Sequence, residues 1–154
     1  GKRIKAPVVV KNTAGKTIAP KYYTLTYSDN LYVGTAKVKV AFKGRYSGSK
    51  TLKYKIVPPS NSIKALTAGT KSFTATWTKK TAQVTGYQIE YSRSKNFESG
   101  KTVRKRIKSA GTVSLTVTGL AKGKTYYVRV RTYKTVGSKN YVSPWSAAKT
   151  VKTK

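Results

Sequence analysis

The chain has 154 residues, with 33 lysines and arginines against three acidic residues, so its formal net charge is +30. It contains no cysteine, histidine or methionine, which excludes disulfides, Cys- or His-ligated metal and haem sites, and catalytic triads that need either residue. Its carboxylates, Asp29, Glu90 and Glu98, are too few for an acidic metal cage. We therefore expect no catalytic residue, no bound metal and no cofactor.

The chain also lacks a long apolar run and an initial methionine, which concern membrane insertion and processing. No apolar run approaches the roughly 20 residues that a membrane helix needs, so we expect no membrane span. Because a translation product begins with methionine, we expect a processed chain or a fragment of a longer one, in which a missing leader says nothing about secretion.

Apolar and polar residues alternate in the first third of the chain, as is typical of strands with one buried face. Residues 36–42 and 52–56 follow this pattern, with lysines at most of the outward positions. Glycine and asparagine mark the turns between such segments, and no segment sustains a helical period. The sequence predicts an all-β protein with essentially no helix.

A double proline, Pro58-Pro59, separates this region from a second patterned one. Paired prolines do not fit inside a strand ladder and favour a stiff, extended connector. We place a first domain at 1–57, a linker at 58–61 and a second domain at 62–154, and we expect two tandem β-sandwiches. The first 57 residues hold 13 basic residues and one acidic residue, and the rest hold 20 and two, so positive charge belongs to both domains.

The second region shows the same alternation. Alternation predicts strands at 103–108 and 126–133, and the family resemblance given next implies further strands at 72–77, 86–91, 115–119 and 148–153. Many short strands at regular spacing are typical of a sandwich.

Residues 60–154 resemble a fibronectin type III module. Trp77, at the end of Ser-Phe-Thr-Ala-Thr-Trp, stands where the family has its core tryptophan. The segment 120–130, Leu-Ala-Lys-Gly-Lys-Thr-Tyr-Tyr-Val-Arg-Val, is similar to the family's Leu-x-Pro-Gly-Thr-x-Tyr corner, with lysines replacing the proline and the threonine. The resemblance implies that Tyr126 is the tyrosine-corner residue and that Trp77 and Tyr126 are structural.

Residues 1–57 resemble the bacterial immunoglobulin-like repeats of Gram-positive surface proteins. The similarity is carried by Tyr-x-x-x-Tyr-Ser-x-Asn at 23–30, Val-Gly-Thr-Ala at 33–36 and Gly-x-Tyr-x-Gly at 44–48. Such repeats have another strand before the Gly-Lys with which this chain begins, so we expect the first domain to lack an edge strand. The two resemblances together imply a secreted protein of a bacterial surface or cell wall.

Basic residues of the second domain are the candidate binding site. Alternation puts Arg104, Arg106 and Lys108 on one face of a strand, and Arg129 and Arg131 project from another. These side chains suit a polyanion such as teichoic acid or a glycosaminoglycan, and nucleic acid only without specificity. The alternative is a solvated lysine-rich surface that keeps the chain soluble. The excess of lysine over arginine predicts loose electrostatic association.

Two other residues are predicted to support this face. Ser143-Pro144-Trp145-Ser146 resembles the second half of the Trp-Ser-x-Trp-Ser box of cytokine-receptor modules, which implies that Trp145 stacks on Arg129 and Arg131. Glu90 lies on the outward face of its strand, so we expect a salt bridge to Arg129 or Arg131.

The leading functional hypothesis is a non-catalytic pair of extracellular modules that acts as a spacer or adhesive segment and binds anionic polymers electrostatically. One alternative is a self-assembling, filament-like subunit, completed at its unpaired edge by a strand from a neighbouring chain. Another alternative is a pair of accessory domains of a cell-wall enzyme.

Overall fold

The computed structural model describes residues 2–154, which form two compact units that divide between Ile56 and Val57. Regular structure in these residues is β, apart from a 3-10 turn at Pro20–Tyr22. The strands are β1 Tyr23–Ser28, β2 Gly34–Phe42, β3 Ser49–Ile56, β4 Ile63–Gly69, β5 Ser72–Trp77, β6 Gly86–Ser92, β7 Thr102–Ile107, β8 Ser114–Val117, β9 Thr125–Val136, β10 Lys139–Val142 and β11 Lys149–Lys152. Within residues 2–154, no helix is long and apolar enough to cross a membrane.

The first unit contains one antiparallel sheet, in the order β1-β2-β3. The apolar positions of β2, including Val38 and Val40, are buried on one face, as alternation predicts. That face is covered by the extended segment that precedes β1. The hydroxyl of Tyr27 donates to the carbonyl of Ala6 at 2.8 Å, and that of Tyr54 donates to the carbonyl of Ile4 at 2.7 Å.

This arrangement differs from the sandwich expected for residues 1–57. Residues 2–56 contain a single three-stranded sheet, and the second layer is irregular chain held by side-chain hydrogen bonds. The chain that precedes β1 contains only an isolated bridge between Lys11 and Thr17 among its described residues, and no strand that could start a second sheet. The first unit therefore does not have the two-sheet architecture that the immunoglobulin-like resemblance implies.

The second unit is a sandwich of two antiparallel sheets. One has the order β4-β5-β8, and the other has the order β10-β9-β6-β7, with β11 pairing the first part of β9. Phe73 and Trp77 from the first sheet meet Ile89 and Val130 from the second in one buried cluster. The strand predicted at 103–108 is β7, which ends at Ile107. Lys108 therefore lies just beyond the strand.

The two expected structural residues lie in this core. Trp77 is 1% exposed and packs on the ring of Tyr87, with centroids 5.5 Å apart. Tyr126 is buried, and its hydroxyl accepts a hydrogen bond from the backbone N–H of Ala121 at 3.2 Å. This contact has the form of a tyrosine corner.

Candidate anion-binding face

Three neighbouring strands bring the candidate arginines together on the outer face of the larger sheet. In the registers of β7, β6 and β9, Arg104 lies opposite Glu90, and Glu90 lies opposite Arg129. One step along the same face, Arg106 and Arg131 flank Gln88. We call Arg104, Arg106, Arg129 and Arg131 the arginine face.

Glu90 lies at the centre of this face and binds two arginines. Its Oε1 accepts a hydrogen bond from Nε of Arg104 at 2.8 Å, and its Oε2 accepts one from Nε of Arg129 at 2.7 Å. The predicted pairing with strand β9 is therefore made with Arg129, and Arg104 is an additional partner. Although Glu90 points outward from the sheet, only 3% of it is exposed, because the side chains around it exclude solvent.

Trp145 stacks among these arginines. The guanidinium carbons of Arg131 and Arg129 lie 4.1 and 4.8 Å from its ring centroid, and that of Arg104 lies at 5.6 Å. The ring of Phe97 contacts Arg129 at 3.9 Å. Each such cation–π contact contributes roughly 0.5–2 kcal/mol, so the stack fixes guanidinium groups that would otherwise be mobile.

Serine side chains hold Trp145 in position against β9. The hydroxyls of Ser143 and Ser146 accept hydrogen bonds from the backbone N–H groups of Thr132 and Val130, both at 3.1 Å. The backbone N–H groups of the same serines donate to the carbonyls of Thr132 and Val130. The segment between β10 and β11 thus follows β9 closely, and the indole lies over the outer face.

The other two arginines are held by neutral partners. Nε of Arg131 donates to Oε1 of Gln88 at 2.8 Å. Nη2 of Arg106 donates to Oδ1 of Asn140 at 2.9 Å, and its guanidinium lies 4.2 Å from the ring centroid of Tyr133. These contacts orient the side chains without neutralising them.

The face carries more positive than negative charge. The four guanidinium groups surround one carboxylate, that of Glu90, which pairs with two of them. Burial lowers the pKa of Arg131 from its ordinary value, and the nearby charge of Arg104 lowers it further, while Glu90 acts in the opposite direction. An anion bound here would offset repulsion among fixed cations, and planar guanidinium groups suit phosphate or sulfate oxygens.

Sequence reasoning missed some residues of this arrangement and included Lys108, which the structure leaves outside it. Lys108 is exposed beyond the end of β7. Gln88 could have been found by alternation, two residues before Glu90. Phe97 and Asn140 lie outside the predicted strands, so no periodic signal identified them.

A cleft of about 560 Å³ lies in the second unit, lined by the buried side chains of Tyr91 and Tyr126 and by Ser94, Glu98 and Lys101, among others. Burial raises the pKa of Tyr91, and the neighbouring Tyr126 adds to this effect. Glu98 bonds Lys101 and Ser94, and these contacts lower the pKa of Glu98, with Lys101 the larger cause. Residues 2–154 contain no group of three or more Asp, Glu, His or Cys side chains suited to a metal ion.

A solved structure and a family model are similar to parts of this chain. The crystal structure of the FN1–FN3 domains of chicken CNTN1 matches with a TM-score of 0.49 and 11% sequence identity. The alignment covers 81% of this chain and 45% of that one, so the chain spans less than half of its length. No curated protein matches. The family model for the fibronectin type III domain matches residues 57–148, which is more than half of the chain, and the chain therefore belongs to the fibronectin type III family.

Proposed function

We propose that the chain is a non-catalytic extracellular module of a bacterial surface or cell wall that binds anionic polymers. Fibronectin type III domains are generally non-catalytic and extracellular. They serve many roles, so the family alone does not name a ligand. The observation that carries the proposal is the arginine face, where Glu90 pairs with two of four oriented guanidinium groups and the other two have neutral partners.

The geometry also modifies the expected binding mode. Lysine-rich surfaces attract anions without orienting them, whereas stacked and hydrogen-bonded arginines lose little side-chain entropy when they bind. We therefore propose oriented contacts to phosphate or sulfate at Arg106 and Arg131, whose hydrogen bonds go to the neutral side chains of Asn140 and Gln88. Charge elsewhere on the chain adds a diffuse attraction.

The test is retention on immobilised wall teichoic acid or heparin across a salt gradient. The variant Arg106→Gln/Arg131→Gln removes two charges and leaves both ion pairs of Glu90 in place. Lys122→Gln/Lys124→Gln is the matched control, because these two lysines are exposed in the same unit. We expect the arginine variant to elute at clearly lower salt than the control, since each lost contact lowers the salt slope by about 0.7–0.9.

Equal shifts for the two variants would show that binding is diffuse and that the arginine face is not a site. Elution of the unmodified chain below physiological salt would favour a plain spacer. The accessory-domain alternative has no support in the geometry of residues 2–154.

One observation favours the self-assembly alternative. Strand β1, Tyr-Thr-Leu-Thr-Tyr-Ser, pairs only with β2 and has no charged residue or proline, which is the type of edge that accepts another strand. The other edge, β3, carries three lysines. Sedimentation across a dilution series at high salt, where charge repulsion is screened, tests this alternative; a monomer at every concentration would exclude it.

A further inference from the structure

The outer face of the sheet in the first unit carries a second cluster of cations. One face of this sheet is covered by the segment that precedes β1, and the opposite face is exposed. Four lysines project from it: Lys37 and Lys39 on β2, and Lys53 and Lys55 on β3. We call these four residues the lysine face.

The register places these like charges close together. Lys37 lies directly opposite Lys53, while Lys39 and Lys55 lie opposite threonines. Directly opposed side chains have Cβ atoms about 4.5–5.5 Å apart, and like charges at that separation are destabilising. Alternate residues along a strand are roughly 6.6 Å apart, so the four lysines occupy neighbouring positions on one face of the sheet.

Little negative charge offsets this repulsion. Asp29 is the only acidic residue among the first 56, and its carboxylate lies 3.2 Å from Nζ of Lys37. That pair is half-exposed at both ends and contributes little at a solvated surface. The lysine face therefore keeps a net positive charge that an anionic partner complements.

The rest of the face indicates the chemistry of that partner. Between and beside the lysines lie exposed hydroxyl side chains, including Thr24, Thr26 and Thr51. The aromatic residues of the sheet, such as Tyr27 and Tyr54, point to the covered face. The exposed face thus lacks the stacking platform that single-stranded nucleic acids use, while lysine binds phosphate as a point charge.

We propose that the lysine face is a separate binding site for a base-free phosphodiester polymer, of the polyol-phosphate type found in wall teichoic acid. The inference rests on the proposed function, because both require affinity for anionic polymers. It adds a site in the other unit, with lysines and hydroxyl groups in place of stacked arginines, and it assigns that site a phosphate ligand.

The test uses the full chain and purified polyglycerol-phosphate teichoic acid, with binding measured at several salt concentrations. Lys39→Gln/Lys53→Gln/Lys55→Gln removes three charges from the face and leaves the Lys37–Asp29 pair in place. Lys11→Gln/Lys16→Gln/Lys50→Gln is the matched control: these lysines are exposed in the same unit, Lys11 and Lys16 lie in the segment that precedes β1, and Lys50 lies opposite Val40 of the covered face. We expect the face variant to lower the salt slope by about two and the control to lower it by less than one.

A charge-conserving variant and a melting-temperature measurement distinguish loss of binding from loss of folding. Lys39→Arg/Lys53→Arg/Lys55→Arg keeps the charge and is expected to bind within about threefold of the unmodified chain. The glutamine variant relieves the repulsion between Lys37 and Lys53, so its melting temperature is expected to equal or exceed that of the unmodified chain.

Three results would overturn the inference. Equal slopes for the face variant and its control would show that the lysines act diffusely; the proposed function then stands if Arg106→Gln/Arg131→Gln still weakens retention. Tighter binding of single-stranded DNA than of teichoic acid, at matched charge, would assign the lysine face to nucleic acid if Lys39→Gln/Lys53→Gln/Lys55→Gln abolishes the difference. Failure of the unmodified chain to bind either anionic polymer would remove both proposals.

Discussion

Glu90 is one carboxylate with two arginine partners from different strands. The change Glu90→Gln leaves Arg104 and Arg129 facing each other across a neutral amide, with Trp145 limiting their access to water. Arg104 remains half-exposed, so solvent offsets part of the loss. We expect the free energy of unfolding to fall by about 2–3 kcal/mol, measured by urea denaturation followed by circular dichroism.

Glu98→Gln is the control for this change. Glu98 also pairs with a cation, Lys101, but both side chains are open to solvent, so this pair contributes little to stability. Equal effects of the two substitutions would contradict a central role for Glu90.

Trp77 fills the core but leaves one polar atom without a partner. Among residues 2–154, its Nε1 is the buried side-chain nitrogen or oxygen that lacks a hydrogen bond. Trp77→Ala is expected to cost about 3–5 kcal/mol through lost contacts and a cavity. Trp77→Phe keeps most of the ring volume and removes the unpaired donor, so we expect it to cost less than half as much. Near-native stability of the alanine variant in urea would contradict this assignment.

Alternation in the sequence was sufficient to place Glu90 beside Arg129, because that pairing follows from strand period and order. The same alternation did not predict that Glu90 is buried. The cover over the carboxylate comes from Phe97 and Trp145, which lie in connecting segments without a regular period. A residue's outward direction therefore did not predict its solvent exposure.

At the scale of elements, the start of β6 leaves no room for a side chain at Gly86. A methyl group at this position would meet the backbone carbonyl oxygen of Ile107 and would lie 3.0 Å from Cε1 of Tyr133. Because the carbonyl belongs to the ladder, it cannot move away without breaking strand pairing. We expect Gly86→Ala to destabilise the second unit by about 1–3 kcal/mol, measured by thermal unfolding.

Gly111→Ala is the matched control for this clash. Its added carbon would meet only the side-chain hydroxyl of Ser109, at 3.4 Å, so a near-neutral effect is expected. If both alanine variants have the melting temperature of the unmodified chain, the lack of space at Gly86 does not affect stability.

The sequence predicted individual strands more reliably than it predicted how many sheets they form. Periods of two located β2, β3 and β9, where apolar side chains alternate with charged or polar ones. The second sheet expected in the first unit is absent from residues 2–56. The extended segment that replaces it is fixed by tyrosine hydroxyls bonding to backbone carbonyls, and such contacts leave no periodic pattern.

At the scale of the whole molecule, charge opposes folding. With a net charge of +30, compaction brings many cations together, and salt screens their repulsion. We expect the melting temperature to rise by several degrees between low and physiological ionic strength. The measurement is calorimetry in sodium chloride, with Lys39→Gln/Lys53→Gln/Lys55→Gln expected to show a smaller rise. A melting temperature that falls with salt would mean that the Glu90 ion pairs dominate.

The segment that covers the first sheet also has a consequence for the order of folding. Strands β1, β2 and β3 are joined by short turns, whereas the contact between Ile4 and Tyr54 spans 50 residues, and such distant contacts close late. The amide of Ile4 donates to the carbonyl of Asn30 at 2.7 Å, outside the ladder. Its hydrogen–deuterium exchange should therefore report the docking of this segment alone, and it should be faster than exchange at the paired amides of β2, since the segment can open while the sheet stays intact.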